Sequence, residues 1–339
     1  MKNIIYYISI FIVILVVFYI TGIYGVLEFS IFILFYASIF YTIYFIYKKI
    51  RNQKIEKYKK YLLNFIKKSS LSFIIIAILI GLFGYYQNYY SPATMVEYTI
   101  SNGKKTVVFQ EMSHIGSNNY YDKIKNNLIE YKKNSYVYFF EGVKPGTKEN
   151  MTNFNKAIGI DFNKDLYKNF SKLYGVTFQD NSIYLNLVND LDFNIDVSID
   201  WIMEKYEKEP KNREQPLSGI LSPSEGNIVD INSEILDTLT KLNDKQLNIL
   251  RFVNKSILSA LIKSDKAQEL ISDNFGNKKL FDIILDGRNK VLSDEIIDSK
   301  YNKIYITYGK LHFDGVLKLL QENDKNWKII SKKEINSMN

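Results

Sequence analysis

Two stretches of this chain stay free of charge for longer than a soluble fold tolerates. From Asn3 to Tyr47 the only charged residue is Glu28, and from Ser69 to Tyr90 there is none. A helix needs roughly 20 apolar residues to cross a bilayer. The first stretch therefore predicts two spans, at about 4–24 and 29–47, with Gly25–Glu28 as the turn, and the second predicts a third span at about 71–89. A cleaved signal peptide explains the first span less well, because its apolar run is too long and no small-residue cleavage site follows it.

The net charge of +8 invites a nucleic-acid reading, yet its location argues against one. Residues 48–68, "KKIRNQKIEKYKKYLLNFIKK", hold nine Lys or Arg and one Glu, a net +8, so the rest of the chain sums to zero. A basic loop between two spans faces the cytoplasm under the positive-inside rule. Residues 1–90 then read as a membrane anchor, and the third span delivers 91–339 outside the cytoplasm. No basic stripe is left over to bind nucleic acid. There is no cysteine, which removes disulfide and thiolate chemistry.

From Thr99 onward the pattern is that of an α/β domain. "KKTVVFQEM" predicts a strand, "NNYYDKIKNNLIEYKK" a helix with Tyr121, Ile124, Leu128 and Tyr131 on one side, and "SYVYFFEGV" a buried strand ending at Glu141. The carboxyl-terminal part repeats this β-α-β scheme with "NKIYITYG", "VLKLLQEN" and "WKIISKKE". Ser117 and Asp314 stand where N-caps belong. The fold class expected is α/β: a mixed sheet with two βαβ-type repeats and a helical insertion at about 230–297, behind the transmembrane helices. "YGVTFQDNSIYLNL" reads as a hairpin turning near Gln179–Asn181, and residues 208–228 as a linker or surface loop. Asp196 and Asp200 are candidate helix caps.

The chain has two histidines, and both fall on the loops after the first strand of each unit: His114 in "EMSHIGSN" and His312 in "GKLHFDGV". Ligands gather outside the carboxyl ends of strands in open α/β sheets, and the duplicated scheme brings His114, Glu141 and His312 to one rim. The plainer alternative is that each histidine hydrogen-bonds within its own strand–helix loop.

Taken in order, "SHIGSNNYYDKI", "VYFFEGV", "DGRNKVLSDEI" and "YGKLHFDGVLKLL" resemble the TraB/PrgY/GumN family, which includes the membrane-tethered TIKI Wnt-inactivating proteases. The likeness covers roughly Thr99 to Lys333. It implies a metal-dependent hydrolase relationship with paired Gly-x-x-His motifs and an acidic residue. The second motif matches at Gly309 and His312, followed by Gly315, whereas the first carries Glu111 in the glycine position before His114, Gly116 and Ser117. Glu111 there either hinders a close backbone approach or supplies a further carboxylate.

A divalent ion held by His114, Glu141 and His312 would leave positions open for water, with Glu141 alternatively the general base. Arg288 would stabilise an oxyanion or bind a carboxylate, or else pair at the surface with Asp286 or Asp294. Asn289 would orient Arg288 or cap locally, and Ser117 is an N-cap before it is a nucleophile. The function expected is membrane-anchored hydrolysis of a peptide or protein outside the cytoplasm. The alternative is a non-catalytic module that sequesters a peptide pheromone.

Overall fold

The computed structural model describes residues 2–158, 164–208, 231–264, 266 and 278–339. The expected linker at 208–228 lies almost wholly outside the described residues, as does much of the insertion between 265 and 277. The chain divides into two compact units, residues 1–85 with 242–249, and residues 86–241 with 250–339.

The first unit is built on helices α1 (Lys2–Ile50) and α2 (Tyr58–Tyr85). Both are long and apolar enough to cross a membrane. Large apolar side chains such as Phe11, Phe18, Ile31, Phe32, Ile78 and Leu79 are exposed along them. A water-facing helix does not carry such a surface, whereas lipid accepts it. The turn expected at Gly25–Glu28 is not found, because those residues are helical. The helical geometry breaks at Gly22, whose φ of 73° and ψ of −168° suit a residue without a Cβ. Gly22 thus leaves helical segments at 2–21 and 23–50, about 30 and 40 Å long at 1.5 Å per residue.

The second unit carries a mixed six-stranded sheet. Its strands are β1 (Thr94–Ser101), β2 (Thr106–Met112), β4 (Val137–Phe140), β6 (Phe193–Asn194), β7 (Lys303–Gly309) and β8 (Lys328–Asn336), in the order β6-β4-β7-β2-β1-β8. A short separate pair joins β3 (Ile115–Gly116) to β5 (Thr177–Phe178). The helices that follow α2 are α3 (Asn118–Lys133), α4 (Lys148–Ile158), α5 (Lys164–Tyr174), α6 (Ser182–Leu185), α7 (Ile199–Lys208), α8 (Ile231–Lys241), α9 (Asp244–Lys263), α10 (Lys278–Asp298) and α11 (Phe313–Asn323); of these only α9 is shared, its residues up to 249 belonging to the first unit.

Strand β7 runs parallel to both β2 and β4, β4 is parallel to β6, and β1 is antiparallel to β2 and β8. All strands but β1 therefore point the same way. The crossovers β2-α3-β4 and β7-α11-β8 step across the sheet in opposite directions, and right-handed crossovers of that kind put their helices on opposite faces. The core shows that division. Val108, Met112, Tyr138 and Tyr305 meet Tyr120, Tyr121, Ile124 and Leu128 of α3 on one face. Phe109, Phe139, Ile304 and Ile306 meet Leu292 and Ile296 of α10 and Phe313, Val316 and Leu320 of α11 on the other. This period-two alternation in β2, β4 and β7, with both faces covered, explains their near-continuous apolar runs.

The expected hairpin at 174–187 is not formed. Its first half is β5, but Ser182–Leu185 is helical and β5 pairs with β3 instead. Ser117 caps α3 as expected, accepting from the Tyr120 N–H at 3.1 Å. Asp314 does not cap α11, since a 3₁₀ turn over Lys310–His312 starts the helix one residue earlier, at Phe313. Asp200 caps a different helix from its own, accepting from the Thr147 N–H at 2.8 Å ahead of α4, while Ser198 caps α7 through the Trp201 N–H.

Candidate functional site

The carboxyl ends of β2, β7 and β4 lie side by side, and the first two lead to helices on opposite faces of the sheet. That is the topological switch point at which open α/β sheets form a crevice. His114 follows β2, Glu141 directly follows β4, His312 follows β7, and Asp196 follows β6. Helix α10 brings Arg288 and Asn289 onto the same ground, both buried.

Glu141 makes the last ladder contact of its strand, its N–H donating to the Thr307 carbonyl at 3.1 Å, before Gly142 and Pro145 end the strand. Its carboxylate then accepts from the Gly309 N–H at 2.7 Å and from Arg288 Nη2. The Arg288 guanidinium also grips Asp196 with both arms, Nε to Oδ1 at 2.8 Å and Nη2 to Oδ2 at 2.9 Å. Asp196 takes two further donors, the Gly142 N–H at 3.0 Å and the Val197 N–H at 2.8 Å. Here a residue read as a helix cap turns out to be the main partner of Arg288. Asp286 and Asp294, the pairs expected at the surface, are not: Asp294 binds Lys290 instead. The guanidinium lies over the Tyr308 ring, 5.1 Å from its centroid.

Burial pushes the Glu141 carboxyl up, but the charges of Arg288, His114 and His312 and the Arg288 hydrogen bond outweigh it and hold it below its ordinary 4.5. Glu141 is therefore an ionised anchor rather than a basic carboxylate.

His312 is 5% exposed, and its Nδ1 lies 2.7 Å from Asn289 Oδ1. An amide oxygen accepts only, so Nδ1 carries the proton and Nε2 keeps its lone pair. Burial first, then the Arg288 charge, push the imidazole from 6.5 down to about 4, with Glu141 opposing them. The ring is neutral at physiological pH, and Nε2 has no hydrogen-bond partner among the described residues. Asn289 thus orients His312, not Arg288. Gly315 makes this possible, since a Cβ there would lie 2.1 Å from Asn289 Nδ2.

His114 is exposed at the mouth of this cluster and packs on Tyr167 with ring centroids 4.9 Å apart. Burial, then the Glu141 charge, raise the Tyr167 phenol to about 12. Tyr167 and Tyr308 escaped the sequence reading, because the abundance of tyrosine left nothing to distinguish them. Gly116 is held tight, a Cβ there falling 3.0 Å from the Ser337 carbonyl oxygen.

Among the described residues no three His, Cys, Asp or Glu side chains are grouped to hold a metal ion. Glu141 is occupied by Arg288, and a guanidinium beside it repels a dication. The expected trio of His114, Glu141 and His312 therefore shares a rim but does not fit a resident ion in this arrangement.

Glu111 does not reach the cluster. Its Oε2 accepts from the Val96 N–H on β1 at 2.8 Å, and burial raises its carboxyl from 4.5 to about 7. An acid raised in the folded state gives its full stability below 4.5 and loses it as pH rises through about 7. Glu111→Gln keeps an acceptor for Val96 and removes the titration. Urea unfolding should find this variant more stable by about 1–3 kcal/mol at pH 8, with the gap closing near pH 5. A gap independent of pH would disprove this.

No protein-family model, curated protein or solved structure matches the chain.

Proposed function

We propose that the chain is a membrane-anchored, TraB/GumN-like hydrolase that acts on a peptide or protein outside the cytoplasm. The observation that carries this reading is His312, a neutral imidazole fixed by Asn289 with an unpartnered Nε2 beside Glu141. The free lone pair of such a ring accepts a hydrogen bond from a hydrolytic water and orients it toward a carbonyl, although with a pKa of about 4 the ring itself is a weak base. Arg288 is a positioning residue here, fixing Glu141 and Asp196 around the Gly309 turn. In this reading the helical segments 2–21 and 23–50 and the apolar part of α2 cross the bilayer with the basic 48–68 loop inside, which puts residues 91–339 on the outer face.

The test is one experiment in two formats. A mixed peptide library is offered to the detergent-solubilised full chain and to right-side-out membrane vesicles, and cleavage is followed by mass spectrometry. Cleavage in both, lost in His312→Ala, is the expected result. Cleavage by the solubilised chain alone would put the domain inside. If His312→Ala cuts as well as the parent, the site is wrong. One divalent ion per purified chain, lost with His312, would restore the metal that the family resemblance calls for. The second reading, capture of a peptide without cleavage, is favoured by the pairing of Glu141 with Arg288. It predicts retained peptide and no products.

A further inference from the structure

We propose that a pocket beside Glu141 is the specificity subsite for one bulky apolar or aromatic side chain of the peptide. This deepens the function proposed above and rests on its peptide reading of the rim. The pocket measures about 250 Å³, with Glu141 and Gly142 at one edge. Its most deeply buried lining includes Tyr138 and Thr307, whose hydroxyls bond to each other at 2.6 Å. Phe140, Tyr184 and Leu185 supply apolar wall, and Glu141 is the only carboxylate among the lining residues. Sites for whole drug-sized ligands run from about 300 to 1,000 Å³. A smaller pocket whose apolar wall also includes Met112, with Lys144, Gln179, Asn181 and Asn194 as polar lining, suits a single side chain.

Position ties this pocket to the chemistry. Glu141 lines it and also accepts from the Gly309 N–H, three residues before His312. A side chain seated in the pocket leaves its own backbone crossing the rim at Glu141, the residue that both lines the pocket and bonds the Gly309 turn. The pocket therefore selects the residue next to the bond that is attacked.

The full chain in micelles is tested against end-blocked hexapeptides that differ at one position, carrying Phe, Leu, Ala, Asp or Lys. Binding of N-acetyl-phenylalaninamide and N-acetyl-alaninamide is followed separately by ligand-detected NMR, with empty micelles as the baseline. Phe and Leu peptides should be cut at least about tenfold faster than the Ala peptide, the scale on which apolar pockets discriminate. The blocked phenylalanine should bind, and the blocked alanine should not. Leu185 and Val143 are 48% and 40% exposed at the pocket mouth, so tryptophan at either fills the opening without entering the core. Leu185→Trp and Val143→Trp should each erase both the preference and the binding. Blocked phenylalanine that binds, and is lost from both variants while no peptide is cut, supports the pocket and sinks the hydrolase. Equal cutting of all peptides, unmoved by either variant, overturns the pocket and leaves the hydrolase standing. Neither cutting nor binding above the baseline overturns the pocket too.

Discussion

Replacing Arg288 with alanine is expected to destabilise the folded domain by about 3–5 kcal/mol, because one substitution strips the partner from two carboxylates. The Asp196 side chain is 0% exposed and that of Glu141 is 19% exposed. Without the guanidinium, Asp196 keeps only two backbone donors and Glu141 keeps one. Arg288→Lys should fall between parent and alanine, since it restores the charge but not the two-armed grip on Asp196. The pH dependence gives a second check. Glu141 is held below its ordinary 4.5, so the stability it contributes is complete above that value and is lost as pH falls through its folded pKa. His312, neutral above about pH 4, adds to that hold only in acid. The gap between the parent and Arg288→Ala should thus be widest near neutral pH and narrow as pH falls below 4.5. Chemical unfolding at several pH values reads both effects. A loss under 1 kcal/mol at pH 7, or a gap that widens in acid, would show that the network does not stabilise the fold.

Gly309→Ala should do the opposite, removing function while sparing the fold. At φ −53° and ψ 140° the backbone suits any residue. A Cβ there would lie 3.4 Å from His312 Cδ2 and 3.5 Å from Glu141 Oε2, ordinary contacts that force nothing to move. The methyl would, however, fill the gap between the imidazole and the carboxylate. A displacement of about 1 Å at a reacting centre costs on the order of 100-fold. Peptide cleavage should drop by at least that factor, or peptide affinity should collapse if the domain captures without cutting. Unfolding stability should stay within about 1 kcal/mol of the parent. Gly315→Ala is the contrasting variant: its Cβ collides with Asn289, so it should lose stability and activity together. Full activity in Gly309→Ala would mean that the space between His312 and Glu141 is not where the substrate lies.

The sequence by itself determined the features that depend on local order. Uncharged runs longer than a bilayer crossing dictate apolar helices, and short near-continuous apolar runs dictate strands buried on both faces, such as β2, β4 and β7. The order strand, loop, helix, strand also fixed that His114, Glu141 and His312 follow strand carboxyl ends, because parallel strands joined by a helix must emerge on one rim. Gly22 and Gly25 are equally able to leave a helix, so local sequence does not choose between them. Strand β1 went unread because its pairing with β2 and β8 is what makes it a strand. β6, two residues long, has too little sequence to show a period.

Partner choice belonged to the tertiary structure. Asp196 and Arg288 are 92 positions apart, and nothing local distinguishes that aspartate from Asp286 or Asp294. The assignment of Asn289 to His312 rests on Gly315, one turn into another helix, leaving room for an amide. Glu111 turned to Val96 for the same kind of reason: a strand residue points to whichever face and neighbour the sheet supplies. Spacing along a chain fixes which residues reach a rim. Which of them touch depends on how whole elements pack across distances that no local pattern encodes.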